Sequence, residues 1–211
     1  RIGIFVGAPR KNPIKEGKDY FNSAFLLHNG KIEGITDKTL LPTYDIFDEY
    51  RYFEPNKIFK CIEFKKRKLA VTICEDIWDI NAENPIYLKT PLEELIKESP
   101  DYIINLSASP FSYSQSEERK KVVQENCLRY KMPMVYVSSV GAQTDFVFDG
   151  GSMVSNAQGE IIYELKYFQE DFGIVDMNEI LSTIQIQPVL EKVERKRPAL
   201  VMGMRDHVQK L

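Results

Sequence analysis

In the first third of the chain the apolar positions fall in short runs separated by turn residues, a pattern that predicts strands. Ile2–Ala8 is one such run and stops at Pro9, whereas Asn12–Asp19 is polar and reads as a loop. Asn22–Leu27 and Lys31–Thr36 flank His28-Asn29-Gly30, where Asn-Gly favours the left-handed backbone of a tight hairpin. Phe59–Phe64 and Leu69–Cys74 predict a second hairpin across Lys65–Lys68, a basic run read as a solvated turn. Between the hairpins, Leu40–Asn56 is rich in aromatics, has Pro towards both ends and shows no clear period. It reads as a long ordered loop of the kind that carries function.

After Pro91 the pattern changes, and helical stretches alternate with strands. Pro91–Lys97 starts with Pro and has acids close behind, as a helix N-terminus should. Tyr102–Leu106 reads as a buried strand, and Ser116–Tyr130 as a helix with Val122, Val123, Cys127 and Leu128 on one face. Met134–Ser138 and Phe146–Phe148 read as strands, and Met153–Ser155 and Ile161–Leu165 as a hairpin turning at Asn156-Ala157-Gln158-Gly159. Glu191–Arg197 reads as a charged linker ended by Pro198, after which Ala199–Leu211 starts an amphipathic helix. The alternation predicts an α/β fold. The opening Arg1-Ile2-Gly3-Ile4 enters directly on an apolar strand without Met, and reads as the cut edge of a longer protein.

The 211 residues suffice for one large or two small domains, and 43% hydrophobic with 11% aromatic residues suits a packed core. With 28 Lys+Arg against 31 Asp+Glu there is no basic excess for nucleic acid. No apolar run approaches the ~18 residues of a membrane-spanning helix. The three cysteines, Cys61, Cys74 and Cys127, form no Cys-x-x-Cys pair, which excludes a zinc or disulfide framework and fits a reducing cytoplasm. There are two histidines, one in the first hairpin turn and one in the final helix. A Ser-His or Cys-His hydrolase, or a His-rich metal site, would have to use one of them, so no metal site is expected.

Cys74 ends the apolar run Ala70-Val71-Thr72-Ile73. A thiol where a strand stops reads either as a nucleophile at the rim of a sheet or as a small core residue. Glu75 and Asp76 beside it would raise its pKa, so a reactive thiolate there needs a compensating cation. Lys38, just past the strand Lys31–Thr36, is by itself an ordinary surface lysine. Phe47-Asp48-Glu49-Tyr50-Arg51-Tyr52-Phe53 reads as an ordered lid. Asn105-Leu106-Ser107-Ala108-Ser109-Pro110-Phe111 ends a strand in small polar residues, either a plain turn or a set of donors facing a ligand.

Together these segments resemble the nitrilase (carbon–nitrogen hydrolase) superfamily and, within it, the glutaminase domains of glutamine-dependent NAD⁺ synthetases. The resemblance is carried by Lys38-Thr39-Leu40-Leu41-Pro42-Thr43-Tyr44, Phe47–Phe53, Cys74-Glu75-Asp76-Ile77-Trp78, Asn105–Phe111 and Phe148-Asp149-Gly150-Gly151-Ser152. It runs in order to about Asp176. The tail Arg197-Pro198-Ala199-Leu200-Val201-Met202-Gly203-Met204-Arg205-Asp206 resembles the helix leading into a synthetase domain.

The resemblance implies a four-layer α-β-β-α sandwich, truncated at its N-terminus, over residues 1–178, with 179–211 as linker and the start of a further helix. It implies a Glu-Lys-Cys catalytic set: Cys74 as nucleophile towards the side-chain amide of glutamine, Lys38 as oxyanion cation with the Glu75 N–H, and Glu49 orienting the lysine or substrate. Tyr44, Phe47, Glu75 and Ser109 would hold glutamine. The general-base glutamate would lie on a strand before Arg1. No cofactor is implied on this segment; ATP and Mg²⁺ belong to the expected C-terminal synthetase domain, which would take the ammonia, in a homo-oligomer. Gln115 stands where related synthetases often carry Arg or Lys, which leaves the binding of the glutamine carboxylate open. A stand-alone amidase and a catalytically silent scaffold are the alternative readings.

Overall fold

The computed structural model describes residues 1–44, 46–80, 87, 90–178 and 192–210. It divides into two compact units, Arg1–Leu106 and Ser107–Leu211.

The first unit contains an antiparallel sheet of β1 (Gly3–Lys11), β2 (Tyr20–His28) and β3 (Lys31–Asp37), with β2 in the centre. Asn29 and Gly30 both have positive φ (52° and 73°), the mirror-image turn that matches strand twist. β1 runs through Pro9, which pairs with Asn22, instead of stopping before it. An edge strand tolerates Pro because one side needs no ladder hydrogen bonds. The long loop contains one short helix, α1 (Glu49–Tyr52), where continuous loop was expected.

β4 (Ile62–Phe64) and β5 (Arg67–Ile73) form the second hairpin, turning on Lys65 and Lys66 alone, both with positive φ. β5 is also parallel to β6 (Tyr102–Ser107), reached through α2 (Pro91–Ile96), since parallel neighbours require a crossover. The chain past Ile73 makes a 3₁₀ turn, Cys74–Ile77, so Cys74 opens a turn rather than closing the strand. Ala24, Leu26, Ile62, Leu69, Val71 and Ile73 form one buried apolar cluster of this unit.

In the second unit α3 (Gln115–Tyr130) buries Ser116, Arg119, Val122, Val123, Asn126 and Cys127, a stripe at helical spacing. Leu128, expected on that face, is exposed. It sits one position past Cys127, about 100° round the helix and out of the stripe. The helix ends at Lys131 in the left-handed conformation, whose N–H reaches the Cys127 carbonyl. β10 (Met153–Ser155) lies between β7 (Met134–Ser138) and β11 (Ile161–Glu164), antiparallel to both.

An unexpected strand, β8 (Val140–Gln143), pairs with β9 (Phe146–Asp149). Helix α4 (Lys192–Gln209) packs on this hairpin through Ala199 and Met202. It runs through Pro198, so Lys192–Arg197 is helical where a charged linker was expected. Pro198 occupies an interior position of the helix, where Pro removes one helical hydrogen bond. The expected domain boundary at 178–179 and the start of the linker at Glu191 fall at 179–191, outside the described residues.

Candidate active site

The first unit gathers most of the singled-out residues through backbone anchors. Lys38 leaves β3 with its N–H on the Asn22 carbonyl (2.7 Å) and its own carbonyl accepting from the Asn56 N–H (3.0 Å). Its side chain is buried, 1% exposed, and Nζ pairs with Glu49 Oε1 at 2.6 Å. A buried ammonium is stable only when paired, so this is no surface lysine. Glu49 keeps 22% exposure. Its other carboxylate oxygen accepts from the Asn22 amide at 3.4 Å, and its N–H donates to the Pro42 carbonyl at 3.1 Å.

Cys74 has φ +46°, a left-handed conformation that a side-chain-bearing residue adopts at a cost. Asn105, fully buried and in register with Thr72, donates to the Thr72 hydroxyl (3.0 Å) and to the Cys74 carbonyl (3.3 Å). Its amide therefore supports the turn from the neighbouring strand. Asp76, fully buried, accepts from the N–H groups of Thr39 (2.9 Å), Leu40 (2.8 Å) and Ile73 (3.0 Å). Burial pushes its carboxyl up to about 6, opposed by those N–H groups and by the Lys38 charge.

Glu75 is buried and accepts from the Tyr44 hydroxyl (2.6 Å) and the Tyr87 hydroxyl (3.0 Å). Burial and the Glu75 charge raise both phenols above the ordinary tyrosine range, so both remain neutral donors. Cys74 and Glu49 act on Tyr44 in the same sense, which places Cys74, Glu49, Glu75 and Tyr44 in one electrostatic neighbourhood. Phe47 packs edge-on against Tyr44, ring centroids 5.8 Å apart. Burial pushes the other two thiols, Cys61 and Cys127, up to about 11, as expected of unreactive cysteines.

Ser109 belongs to the second unit. It is buried, its hydroxyl accepts from the Gln115 amide (3.3 Å), and its carbonyl accepts from Arg119 (3.4 Å). Arg119 is itself buried and paired with Asp149 at 2.6 Å. Gly150 and Gly151 follow at positive φ. Asn22, Tyr87 and Arg119 were not singled out from the sequence. Tyr87 has no local signal at all, whereas an acid such as Asp76 between Ile73 and Ile77 hints at burial.

This arrangement supplies a thiol at a supported turn, a buried ammonium held by a carboxylate, and a second carboxylate lined by phenols. Among the described residues no group of three or more His, Cys, Asp or Glu side chains could hold a metal ion. Residues 1–185 match the carbon–nitrogen hydrolase family, and the chain belongs to that family.

The more particular likeness is to glutamine-dependent NAD(+) synthetases. The chain is 37% identical to that of Synechocystis sp. over 99% of this chain and 39% of the relative. It is 38% identical to that of Thermotoga maritima over 78% of this chain and 27% of the relative. The solved structure of glutamine-dependent NAD+ synthetase from Acinetobacter baumannii, in complex with ADP, superposes with TM-score 0.85 at 33% identity. The match covers 99% of this chain and 38% of that one. A carbon-nitrogen hydrolase from Helicobacter pylori shares the fold, with TM-score 0.67 at 21% identity, over 78% of this chain and 58% of that one. The fold is thus the nitrilase-type α-β-β-α sandwich. The chain spans under two-fifths of the synthetases it matches.

Proposed function

We propose that this chain is the glutaminase part of a glutamine-dependent NAD⁺ synthetase, releasing ammonia for the ATP-dependent amidation of deamido-NAD⁺. The observation that carries the reading is the buried Lys38–Glu49 pair in the same cluster as the Cys74 turn, in a chain related to synthetases over nearly its whole length. A hydrolase built this way needs no histidine.

In this reading Cys74 Sγ attacks the side-chain amide carbon of glutamine. The thiol proton passes to a carboxylate base, which the family resemblance places on a strand preceding Arg1. Lys38 Nζ and the Glu75 N–H stabilise the oxyanion as it forms, and preorganised charge of this kind is worth about 3–4 kcal/mol per donor. Collapse of the adduct breaks the C–N bond. The base returns its proton to the leaving nitrogen, so ammonia departs and a glutamyl thioester stays on Cys74. Water then cleaves the thioester and regenerates the thiol. Glu75 has the charge to hold the α-ammonium group of glutamine, with Tyr44 and Phe47 beside it in the first unit; Ser109 is assigned to glutamine by the family resemblance alone.

The ammonia passes to a synthetase domain that binds ATP and Mg²⁺, in a homo-oligomer and in a reducing cytoplasm where Cys74 stays a thiol. Transfer must be sheltered, because protonated ammonia is not a nucleophile. The test is ammonia release from glutamine by the full-length protein, with and without ATP plus deamido-NAD⁺. Release that rises with the synthetase substrates, and a glutamyl adduct of Cys74 trapped by rapid acid quench, are expected. Release indifferent to them would instead identify an uncoupled amidase.

A further inference from the structure

We propose that Asp76 is a positioning residue for this reaction: its buried carboxylate pins the segment that carries Lys38 to the turn that carries Cys74. The inference rests on the glutaminase reading for its functional meaning, though its geometry stands apart from it. Next to a reactive thiol, a carboxylate is at first sight a liability, because a like charge disfavours the thiolate. The structure turns this carboxylate towards backbone donors instead. One oxygen accepts from Ile73, which a turn-capping acid alone would do. The other accepts from Thr39 and Leu40, a chain distance of more than thirty residues, directly after Lys38.

Lys38 is held from its other side by Asn22 and Asn56. Its backbone is therefore clamped between β2 and the Cys74 turn, and its ammonium, bound to Glu49, has no solvent into which to relax. A misplacement of about 1 Å in such a site can cost ~100-fold in rate. The acid thus does for Lys38 what the Asn105 amide does for the Cys74 carbonyl: it fixes a backbone so that a side chain needs no adjustment.

Asp76→Asn in the full-length protein keeps the size of the side chain but leaves one of its two oxygens replaced by an amide that cannot accept. Three readouts are taken together: kcat and KM for glutamine hydrolysis, amide exchange at Thr39 and Leu40, and the pH midpoint of Cys74 alkylation by iodoacetamide. We expect kcat to fall ~10–100-fold with KM within about threefold, exchange at Thr39 and Leu40 to quicken, and the alkylation midpoint to rise. The sign of the last is diagnostic. Simple loss of a neighbouring negative charge lowers a thiol midpoint, whereas loss of a placed lysine raises it. A midpoint that falls or stays, or a kcat within about twofold, overturns the proposal.

Should the variant fail to fold, the unsubstituted protein carries the test. Acidification from about pH 7.5 to 5.5 neutralises Asp76, which Lys38 faces and whose turn also carries Cys74 and Glu75. Exchange at Thr39 and Leu40, corrected for its intrinsic pH dependence, must then quicken relative to β3, and unchanged protection relative to β3 overturns the proposal. Cys74→Ala, assayed beside these, separates the two ideas: hydrolysis that survives it sinks the glutaminase reading, while the exchange and alkylation results still decide Asp76.

Discussion

Lys38 is almost entirely withdrawn from water and yet carries a charge, so its environment defines what it can do. Paired with Glu49, it is a fixed cation that needs no reorganisation when negative charge appears beside it. Lys38→Met should therefore lower the rate of glutamine hydrolysis by ~100–1,000-fold. It should leave the fold in place, because Glu49 is 22% exposed and can be hydrated once its partner is gone. Steady-state kinetics alongside circular dichroism checks both halves.

Asp76 adds a pH signature at the same scale. Its carboxyl is raised from 3.8 to about 6, so the folded protein binds this proton more tightly than the unfolded chain. The group's contribution to stability is then full below about 3.8 and lost as pH rises through about 6. The stability cost of Asp76→Asn should accordingly shrink between about pH 4 and 7, by on the order of 2–3 kcal/mol, as urea denaturation at several pH values would read. Activity should run the other way. The ionised form makes the pin, so the rate rises with pH through about 6, and Asp76→Asn should flatten that limb.

At the scale of elements, the turns hold residues in conformations their side chains resist. Gly151 has φ +67°, and a Cβ there would lie 2.3 Å from the Tyr167 ring. Tyr167 in turn donates to the buried Glu164 at 2.6 Å, so the ring has little room to move. Gly151→Ala should destabilise the second unit by roughly 1–3 kcal/mol, measurable by chemical denaturation.

Most elements were legible because their signals are local: the Asn29-Gly30 turn, the apolar run ending at Ile73, and the stripe of α3. β8 was not, because Val140-Gly141-Ala142-Gln143 has little strand propensity and forms through partners distant in sequence. β9 completes its ladder, and Asp206 of α4 accepts from the Ala142 N–H at 2.7 Å. Pro198 misled for a related reason, since α4 is held by packing of Ala199 and Met202 rather than by propensity. The same division holds in the candidate site. Cys74, Lys38 and Glu49 stand in motifs, whereas Tyr87 is brought to Glu75 by the path of the chain alone. Asp76 was visible as a charge, but its three backbone partners were not.

At the scale of the whole molecule, the chain accounts for 39% of the Synechocystis relative's length and 38% of the Acinetobacter baumannii structure. In the proposed reading a larger activity is divided in two, with this segment making ammonia and a synthetase domain using it. Such a division predicts that the two nitrogen sources can be separated by one atom. The measurement is NAD⁺ formation from ATP and deamido-NAD⁺ by full-length Cys74→Ala, with glutamine and with ammonium salt as alternative nitrogen donors. The account predicts that glutamine no longer supports synthesis while ammonium supports it at close to the unsubstituted rate. Undiminished synthesis from glutamine in that variant would contradict it.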